Sequence, residues 1–224
     1  ERMEWERRGR ACAALSLALG LGLLGGTPRR PSPAGEQRGE AFYQAGVRAG
    51  EKLRGGPSGA TGPEADIYAA GRDFSIPRTY YDGTVGELMA GGRDRETAEE
   101  LARQILFYKF SLYSAAEQAG CTVSDSHVEQ VIAGTRAGIR QAANKSDFDS
   151  YLEGMGMSEE AYWDSQFENI KIYESISAYR DHMFQAFAAE AEGGRTGADE
   201  AAWEAEWERI VREAIDGQEI EILG

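Results

Sequence analysis

The sequence predicts a mainly α-helical fold in which two long helices, with short helices between them, are joined at the chain ends by a small two-stranded ribbon. Apolar residues recur at three- and four-residue steps over most of the chain after residue 96, which is typical of amphipathic helices. All six prolines lie at or before Pro77, as do 18 of the 28 glycines at or before Gly92. This shift in composition predicts a folded domain at residues 64–224.

The first 34 residues are predicted to be a signal peptide or an N-terminal membrane anchor. Arg7, Arg8 and Arg10 precede residues 11–26, which carry no charge. A transmembrane helix needs about 20 apolar residues, whereas the apolar part of a signal peptide has about 7–15. The length favours a signal peptide and leaves an uncleaved anchor open. Both interpretations predict an extracytoplasmic protein, either secreted or anchored to the cell membrane by this segment alone.

Residues 35–63 are predicted to be a flexible tether between this segment and the domain. They contain eight glycines and two prolines, so they offer little apolar surface to offset the entropy of ordering. Phe42, Tyr43, Val47 and Leu53 indicate a weak, glycine-broken helix inside the tether. Plain disorder is the alternative, and the two interpretations are compatible.

The ribbon is predicted from two short segments near the ends of the domain. Phe74 and Ile76 alternate with polar residues before Pro77, and Ile220 and Ile222 alternate with glutamates near the C-terminus. A single short strand leaves its backbone unpaired, so we expect residues 74–76 to pair with residues 219–223.

Two helices joined by a short link form the centre of the prediction, from residue 96 to residue 141. Gly120 ends the first helix, because a residue free to adopt positive φ is favoured there, and Ser124 is a suitable N-cap for the second. The predicted core positions are Leu101, Ile105, Tyr108, Leu112, Ala116 and Ala119 in the first helix, and Val128, Val131, Ile132, Thr135 and Ile139 in the second.

A short helix is predicted next. Ser146 and Asp149 are spaced as in a capping box at its start, and Gly154 and Gly156 are expected to end it. Its apolar residues are Phe148, Tyr151, Leu152 and Met155.

The longest helix begins after Ser158 and is predicted to reach residue 190, because no glycine or proline interrupts it. Residues 193–197 form a turn, and the last helix follows with its apolar residues on one face. These are Trp203, Trp207, Ile210, Val211 and Ala214.

The order of these parts resembles a known family. A long helix ending in AAEQAG is followed by TVSDSHVEQVI and then by FDSYLEGMGMSEEAYWDSQFENIKIYESI. Residues 105–179 thereby resemble the N-terminal, peptide-binding domain of the SurA and PrsA type of extracytoplasmic folding factors. The resemblance implies a helical chaperone-like domain at residues 64–224. Members often carry a parvulin prolyl-isomerase domain before the last helix, but residues 193–197 are too few to hold one, so the resemblance implies no isomerase activity.

Composition and motifs argue against several other functions. The net charge of −14 and the pI of about 4.7 argue against nucleic-acid binding and against charge-driven binding to an anionic membrane. His127 and His182 have no second histidine or cysteine at metal-ligand spacing, and no P-loop or dinucleotide motif is present. We therefore expect no catalysis, no metal and no cofactor.

Aromatic residues of the two long helices are the remaining candidates for a functional site. Those of the first long helix lie off its main stripe, and those of the second belong to an apolar set that covers more than one face. These candidates are Phe107, Phe110 and Tyr113 in the first long helix, and Trp163, Phe167 and Tyr173 in the second. An apolar groove for unfolded or extended polypeptide is the functional interpretation, and packing between the two helices is the structural one. A homodimer through these faces is a third. The leading hypothesis is a non-catalytic chaperone-like module, and the alternative is a structural or assembly protein of the cell envelope with a fixed partner.

Overall fold

A computed structural model describes residues 39–40, 42–47, 50, 66–90, 92–190 and 200–223. The predicted signal segment, most of the predicted tether and the predicted turn at residues 193–197 lie outside these residues. Among the described residues, no helix has the length and apolar character needed to span a membrane.

The described chain is mainly helical with a small antiparallel sheet, which confirms the predicted fold class. Residues 39–40, 42–47 and 50 are helical and are here called the N-terminal helical segment. The elements after it are β1 (Ile67–Ala70), β2 (Ser75–Pro77), α1 (Arg78–Ala90), α2 (Arg95–Gln118), α3 (Asp125–Gln141), α4 (Lys145–Met155), α5 (Glu159–Glu190), α6 (Glu200–Asp216) and β3 (Glu221–Ile222).

The ends of α2 follow from its capping residues. The Asp94 side chain accepts a hydrogen bond from the Thr97 amide at 2.9 Å, which satisfies an amide that the first turn leaves free. At the other end Gly120 has φ +68, and the Cys121 amide donates to the Ala116 carbonyl at 2.8 Å. This is the glycine-terminated end that the sequence predicts.

The buried face of α2 differs from the predicted one. Leu112 and Ala116 are buried as predicted, but Leu101, Ile105 and Tyr108 are only half-buried and Ala119 is exposed. The fully buried residues of the N-terminal half lie one position later, and they are Ala98, Ala102, Leu106 and Lys109. Small residues at Ala98 and Ala102 leave room for α1, whose Val85 packs against them. A search for large apolar residues misses a contact face made of alanines.

The predicted N-cap is correct for α3 and wrong for α4. Ser124 is the N-cap of α3 as predicted, and its hydroxyl accepts from the His127 amide at 3.3 Å. The predicted capping box at Ser146 is wrong, because the N-cap of α4 is Asn144, two residues earlier. Asp149 instead binds the Lys145 ammonium at 2.6 Å, one helical turn away.

The long helix α5 has the predicted bounds and divides its buried residues between two cores. Its N-terminal part packs against α3 and α4 in a cluster here called the α3–α4–α5 core. Its C-terminal part packs against α2 and α6 in the α2–α5–α6 core. The buried members are Val128, Ile139, Phe148, Leu152, Met155, Tyr162, Trp163 and Ile170 in the first core, and Leu112, Ile172, Ile176, Trp203, Trp207 and Ile210 in the second.

The sheet has three strands in the order β2–β1–β3, rather than two. Ala69 in β1 lies opposite Ile76 of β2 on one side and opposite Ile222 of β3 on the other. The predicted pairing of residues 74–76 with residues 219–223 is therefore wrong, because β1 lies between them. Residues 67–70 carry no polar–apolar alternation, since Tyr68 and Ala69 are both buried, and period-2 reasoning does not detect such a strand.

The N-terminal helical segment corrects part of the predicted tether. Gly46 and Gly50 are buried against α4, where a β-carbon would come within 2.0 Å of the Tyr151 carbonyl oxygen and 2.4 Å of the Met155 carbonyl oxygen. These glycines permit two helix backbones to approach closely, which sequence reasoning mistakes for flexibility. The helix indicated by Phe42 and its neighbours is the better interpretation, and Phe42 packs against the α3–α4–α5 core.

Gly154 belongs to the same contact and does not end α4 as predicted. Gly156, with φ +66, is the residue that ends α4. A β-carbon at Gly154 would lie 2.0 Å from the Tyr43 carbonyl oxygen and 2.8 Å from the Val47 amide nitrogen. Both atoms are backbone, so the two helices would have to separate to admit a side chain.

We expect Gly154→Ala to detach the N-terminal helical segment and Gly134→Ala to stabilise the protein. Both glycines lie inside helices, but a β-carbon at Gly134 meets nothing within 4 Å. Alanine there should raise the free energy of unfolding by up to about 1 kcal/mol through helix propensity. Amide hydrogen exchange of residues 42–47 tests the contact: Gly154→Ala should accelerate it, and unchanged exchange would contradict the docked segment.

Candidate functional site

The six predicted aromatic residues do not form one groove. Trp163 and Phe167 lie in the α3–α4–α5 core, where Trp163 is 5% exposed and packs against Phe148. Tyr113 packs against the α2–α5–α6 core. These three therefore belong to core packing, the structural interpretation of the sequence. Phe107 and Phe110 pack beneath the sheet, and Tyr173 lies beside Lys109.

Phe110 and Tyr173 come together with two aromatic residues that the sequence analysis did not select as site candidates. The Phe110 ring lies 5.7 Å from the Phe74 ring and 5.8 Å from the Tyr80 ring, measured between centroids. The Lys109 ammonium lies 4.8 Å from the centroid of Tyr80, 5.6 Å from that of Phe110 and 5.3 Å from that of Tyr173. We call Phe74, Tyr80, Phe110 and Tyr173 the aromatic surface.

The Lys109 ammonium is a common contact of three of the four rings. Its side chain is 3% exposed, and its ammonium donates a hydrogen bond to the Asn169 side-chain oxygen at 2.6 Å. Burial lowers the pKa of Lys109 to about 8, while the negative charge of Glu87 acts in the opposite direction. The three rings present negative faces to the ammonium, which partly replaces its lost hydration. Lys109 thereby links α1, α2 and α5 at one point.

Part of the aromatic surface is exposed to solvent. Tyr80 is 40% exposed, and Phe74, Phe110 and Tyr173 are half-buried. Partial burial raises the pKa of the Tyr80 hydroxyl, and the nearby negative charges of Glu87 and Glu168 add to this effect. A ligand on these rings would therefore meet apolar faces beside two carboxylates.

This arrangement is suited to binding rather than to reaction at Lys109. An amine nucleophile must reach a substrate carbonyl, but the Lys109 amine is enclosed by three rings and Asn169. The four rings offer apolar contact area, and the two tyrosines add hydroxyl groups that can hydrogen-bond.

A small polar cavity of about 150 Å³ lies between the β1–β2 turn and the C-terminal end of α6. Gln218 closes it: the amide nitrogen of its side chain donates to Asp73 at 2.9 Å, and the side-chain oxygen accepts from the Asp73 backbone amide at 3.0 Å. The hydrogen bond from Gln218, followed by that from Arg72, lowers the pKa of Asp73. The Ser111 hydroxyl borders the cavity but is covered from solvent. These contacts fasten the hairpin to the end of α6.

Other chemistry-bearing residues lie on the surface. His127 and His182 are exposed as predicted, and His127 pairs with Glu174 at 3.0 Å. Cys121 is a free, half-buried cysteine. Within the described ranges, no group of three or more His, Cys, Asp or Glu residues is placed to hold a metal ion.

Sequence reasoning missed Lys109, Tyr80 and Phe74 for different reasons. Lys109 carried a signal, because it falls three residues after Leu106 and three before Leu112, where an apolar residue is expected. Tyr80 and Phe74 carried none, since only the tertiary fold brings the β1–β2 hairpin and α1 next to Phe110.

Comparisons with known proteins identify no relative: no protein-family model matches the chain, and neither does a curated protein or a solved structure. The resemblance to the SurA and PrsA type of folding factors therefore stays a prediction from the order of helices and caps.

Proposed function

We propose that this protein is an extracytoplasmic chaperone-like module that binds unfolded or extended polypeptides at the aromatic surface, without catalysis. The observation that carries the proposal is the cluster of four aromatic rings, which is partly exposed to solvent and has three of its rings in contact with the Lys109 ammonium. Unfolded chains expose aromatic and aliphatic side chains that native proteins bury, and such rings bind them without demanding one sequence.

The rigidity of the support favours this function. Tyr80, Phe110 and Tyr173 belong to three different helices, and each ring contacts the same ammonium. Rings that are already ordered lose little conformational entropy when a ligand binds. The aromatic surface is therefore preorganised, whereas the unfolded polypeptide that binds to it is flexible and changes its conformation to fit.

The negative charge of the protein determines which unfolded polypeptides it should prefer. Glu87 and Glu168 act on the Tyr80 hydroxyl, and the chain as a whole carries a net charge of −14. Long-range attraction should speed association with basic segments and disfavour acidic ones. We expect tighter binding to unfolded segments that combine aromatic residues with lysine or arginine, and weaker binding at higher salt.

A matched pair of substitutions tests the site. Tyr80 and Phe184 are exposed to nearly the same degree, 40% and 39%, but Phe184 lies near the C-terminal end of α5 against Trp203. Fluorescence anisotropy with a labelled, reduced and carboxymethylated polypeptide should show that Tyr80→Ala weakens binding about tenfold, equivalent to about 1.4 kcal/mol. Phe184→Ala removes similar exposed area and should leave the affinity unchanged.

The same measurements separate this function from the alternative of a structural protein with a fixed partner or a self-dimer. A self-dimer formed through the aromatic surface would dissociate in Tyr80→Ala, as seen by sedimentation, and would not bind the labelled chain. Equal losses in Tyr80→Ala and Phe184→Ala would show that binding is non-specific. Either result would overturn the proposed site.

A further inference from the structure

The exposed edge of the sheet is a second surface, independent of the aromatic surface. We propose that the outer edge of β3 binds an extended polypeptide segment in which apolar residues alternate with basic ones. β3 ends the strand order β2–β1–β3, so within the described part of the chain only β1 pairs with it.

The backbone of Ile222 is directed away from the sheet. Leu223 donates its amide hydrogen to the Tyr68 carbonyl at 2.8 Å, and Ile222 lies opposite Ala69. Inward and outward groups alternate along an antiparallel strand, so the Ile222 amide and carbonyl point to the outer edge. These two groups are the ones that an added strand would bind.

The side chains at this edge are apolar and open to solvent. Ile222 is 51% exposed and Leu223 is 57% exposed, more than any other large apolar residue that the structure describes. An exposed apolar edge strand is a template for pairing with another chain, and proteins usually protect it with proline or charge. β2, at the opposite edge, has this protection: it is three residues long and ends at Pro77.

Charge selects the occupant. Glu219 and Glu221 are exposed and flank the apolar residues, so a strand laid along this edge runs beside two carboxylates. Like charges on facing strands are destabilising, which disfavours pairing of β3 with β3 of a second copy. Side chains alternate between the two faces of a strand, so Glu219 and Glu221 lie on one face and Ile222 on the other. A partner strand with lysine or arginine at alternate positions places opposite charges beside the two glutamates and keeps its apolar residues on the face of Ile222.

The test uses the full chain, labelled with ¹⁵N, and an acetylated decapeptide of alternating lysine and valine. Saturating peptide should slow hydrogen exchange of the Ile222 amide at least tenfold, because a new acceptor covers it. The same peptide with N-methyl groups on alternate amides should not bind at this edge, since its donors are blocked. A decapeptide of alternating glutamate and valine should bind at least tenfold more weakly.

Charge reversal supplies the matched control. The double variant Glu219→Lys, Glu221→Lys should lose the lysine–valine peptide and prefer the glutamate–valine peptide, whereas Glu129→Lys on the exposed face of α3 should behave like the wild type. The proposal would be overturned by unchanged Ile222 exchange at saturation, or by equal binding of the N-methylated peptide. Ile222 protection in the free protein, or protection that rises with protein concentration alone, would assign the edge to this chain itself and likewise overturn it.

Discussion

Removal of residues 200–224 is expected to leave a chain that no longer unfolds cooperatively. These residues supply α6, which contributes Trp203, Trp207 and Ile210 to the α2–α5–α6 core. They also supply β3 and Gln218, which fasten the β1–β2 hairpin to the end of α6. Far-UV circular dichroism and urea unfolding of the shortened chain should show loss of helix or aggregation. A shortened chain that stays soluble and melts cooperatively would show that α6 is an appendage.

The single substitution Trp207→Ala tests the same core with less disruption. Trp207 is 2% exposed, and its ring packs against Tyr179 and Trp203. Its removal should lower the free energy of unfolding by about 3–5 kcal/mol, a large part of the total of about 5–15 kcal/mol that single domains have. Arg212→Ala, at an exposed position of the same helix, should change it by less than about 0.5 kcal/mol. A loss below 1 kcal/mol in Trp207→Ala would contradict the packing described for α6.

Lys109→Met is expected to change how stability depends on pH. The pKa of Lys109 falls from 10.5 to about 8 on folding because of burial. Between these values the unfolded chain binds more protons than the folded one, so Lys109 makes stability rise with pH. The wild type should therefore gain up to about 3 kcal/mol relative to Lys109→Met between pH 7 and pH 10.5. Urea unfolding of both proteins at several pH values measures this difference.

The control for this prediction is a lysine with the opposite shift. The hydrogen bond that Lys171 donates to Asp125 raises the pKa of Lys171 above 10.5, so its contribution is complete at lower pH and is lost only as the pH rises through the raised value. The difference between the wild type and Lys171→Met should stay constant from pH 7 to pH 10. Parallel curves for Lys109→Met and the wild type would contradict a buried ammonium at this site.

Most of the helical architecture was predictable because helix ends depend on local chemistry. Ser124 and Ser158 cap helices through their own side chains, and Gly120 ends one through its backbone. The periods of Val128 to Ile139 and of Trp203 to Ala214 were also correct, because each helix buries one face. A cap or a stripe needs no knowledge of which element lies opposite.

The features that sequence reasoning missed all depend on distant partners. Ala102 is buried because α1 lies against it, and nothing in the residues around it identifies α1. Strand pairing depends on register between segments about 150 residues apart. The sequence analysis paired β2 with β3, but each of them pairs with β1 instead. Gly154 packs against the N-terminal helical segment, a contact made by two backbones without side-chain pattern. The predicted site residues were only partly correct for the same reason. Trp163 and Phe110 have similar sequence contexts, but Trp163 is buried in a core whereas Phe110 belongs to the aromatic surface.

The continuity of α5 connects the aromatic surface to both cores. The helix is 32 residues long, which corresponds to about 48 Å, and it contains no glycine or proline that would act as a hinge. Asn169 and Tyr173 lie near its middle, on either side of Ile170 and Ile172, where the residues that it gives to the two cores meet. α5 is thus one continuous helix that packs in one core toward its N-terminus, in the other toward its C-terminus, and contributes Tyr173 to the aromatic surface near its middle. A ligand on Tyr173 therefore contacts a helix that both cores share.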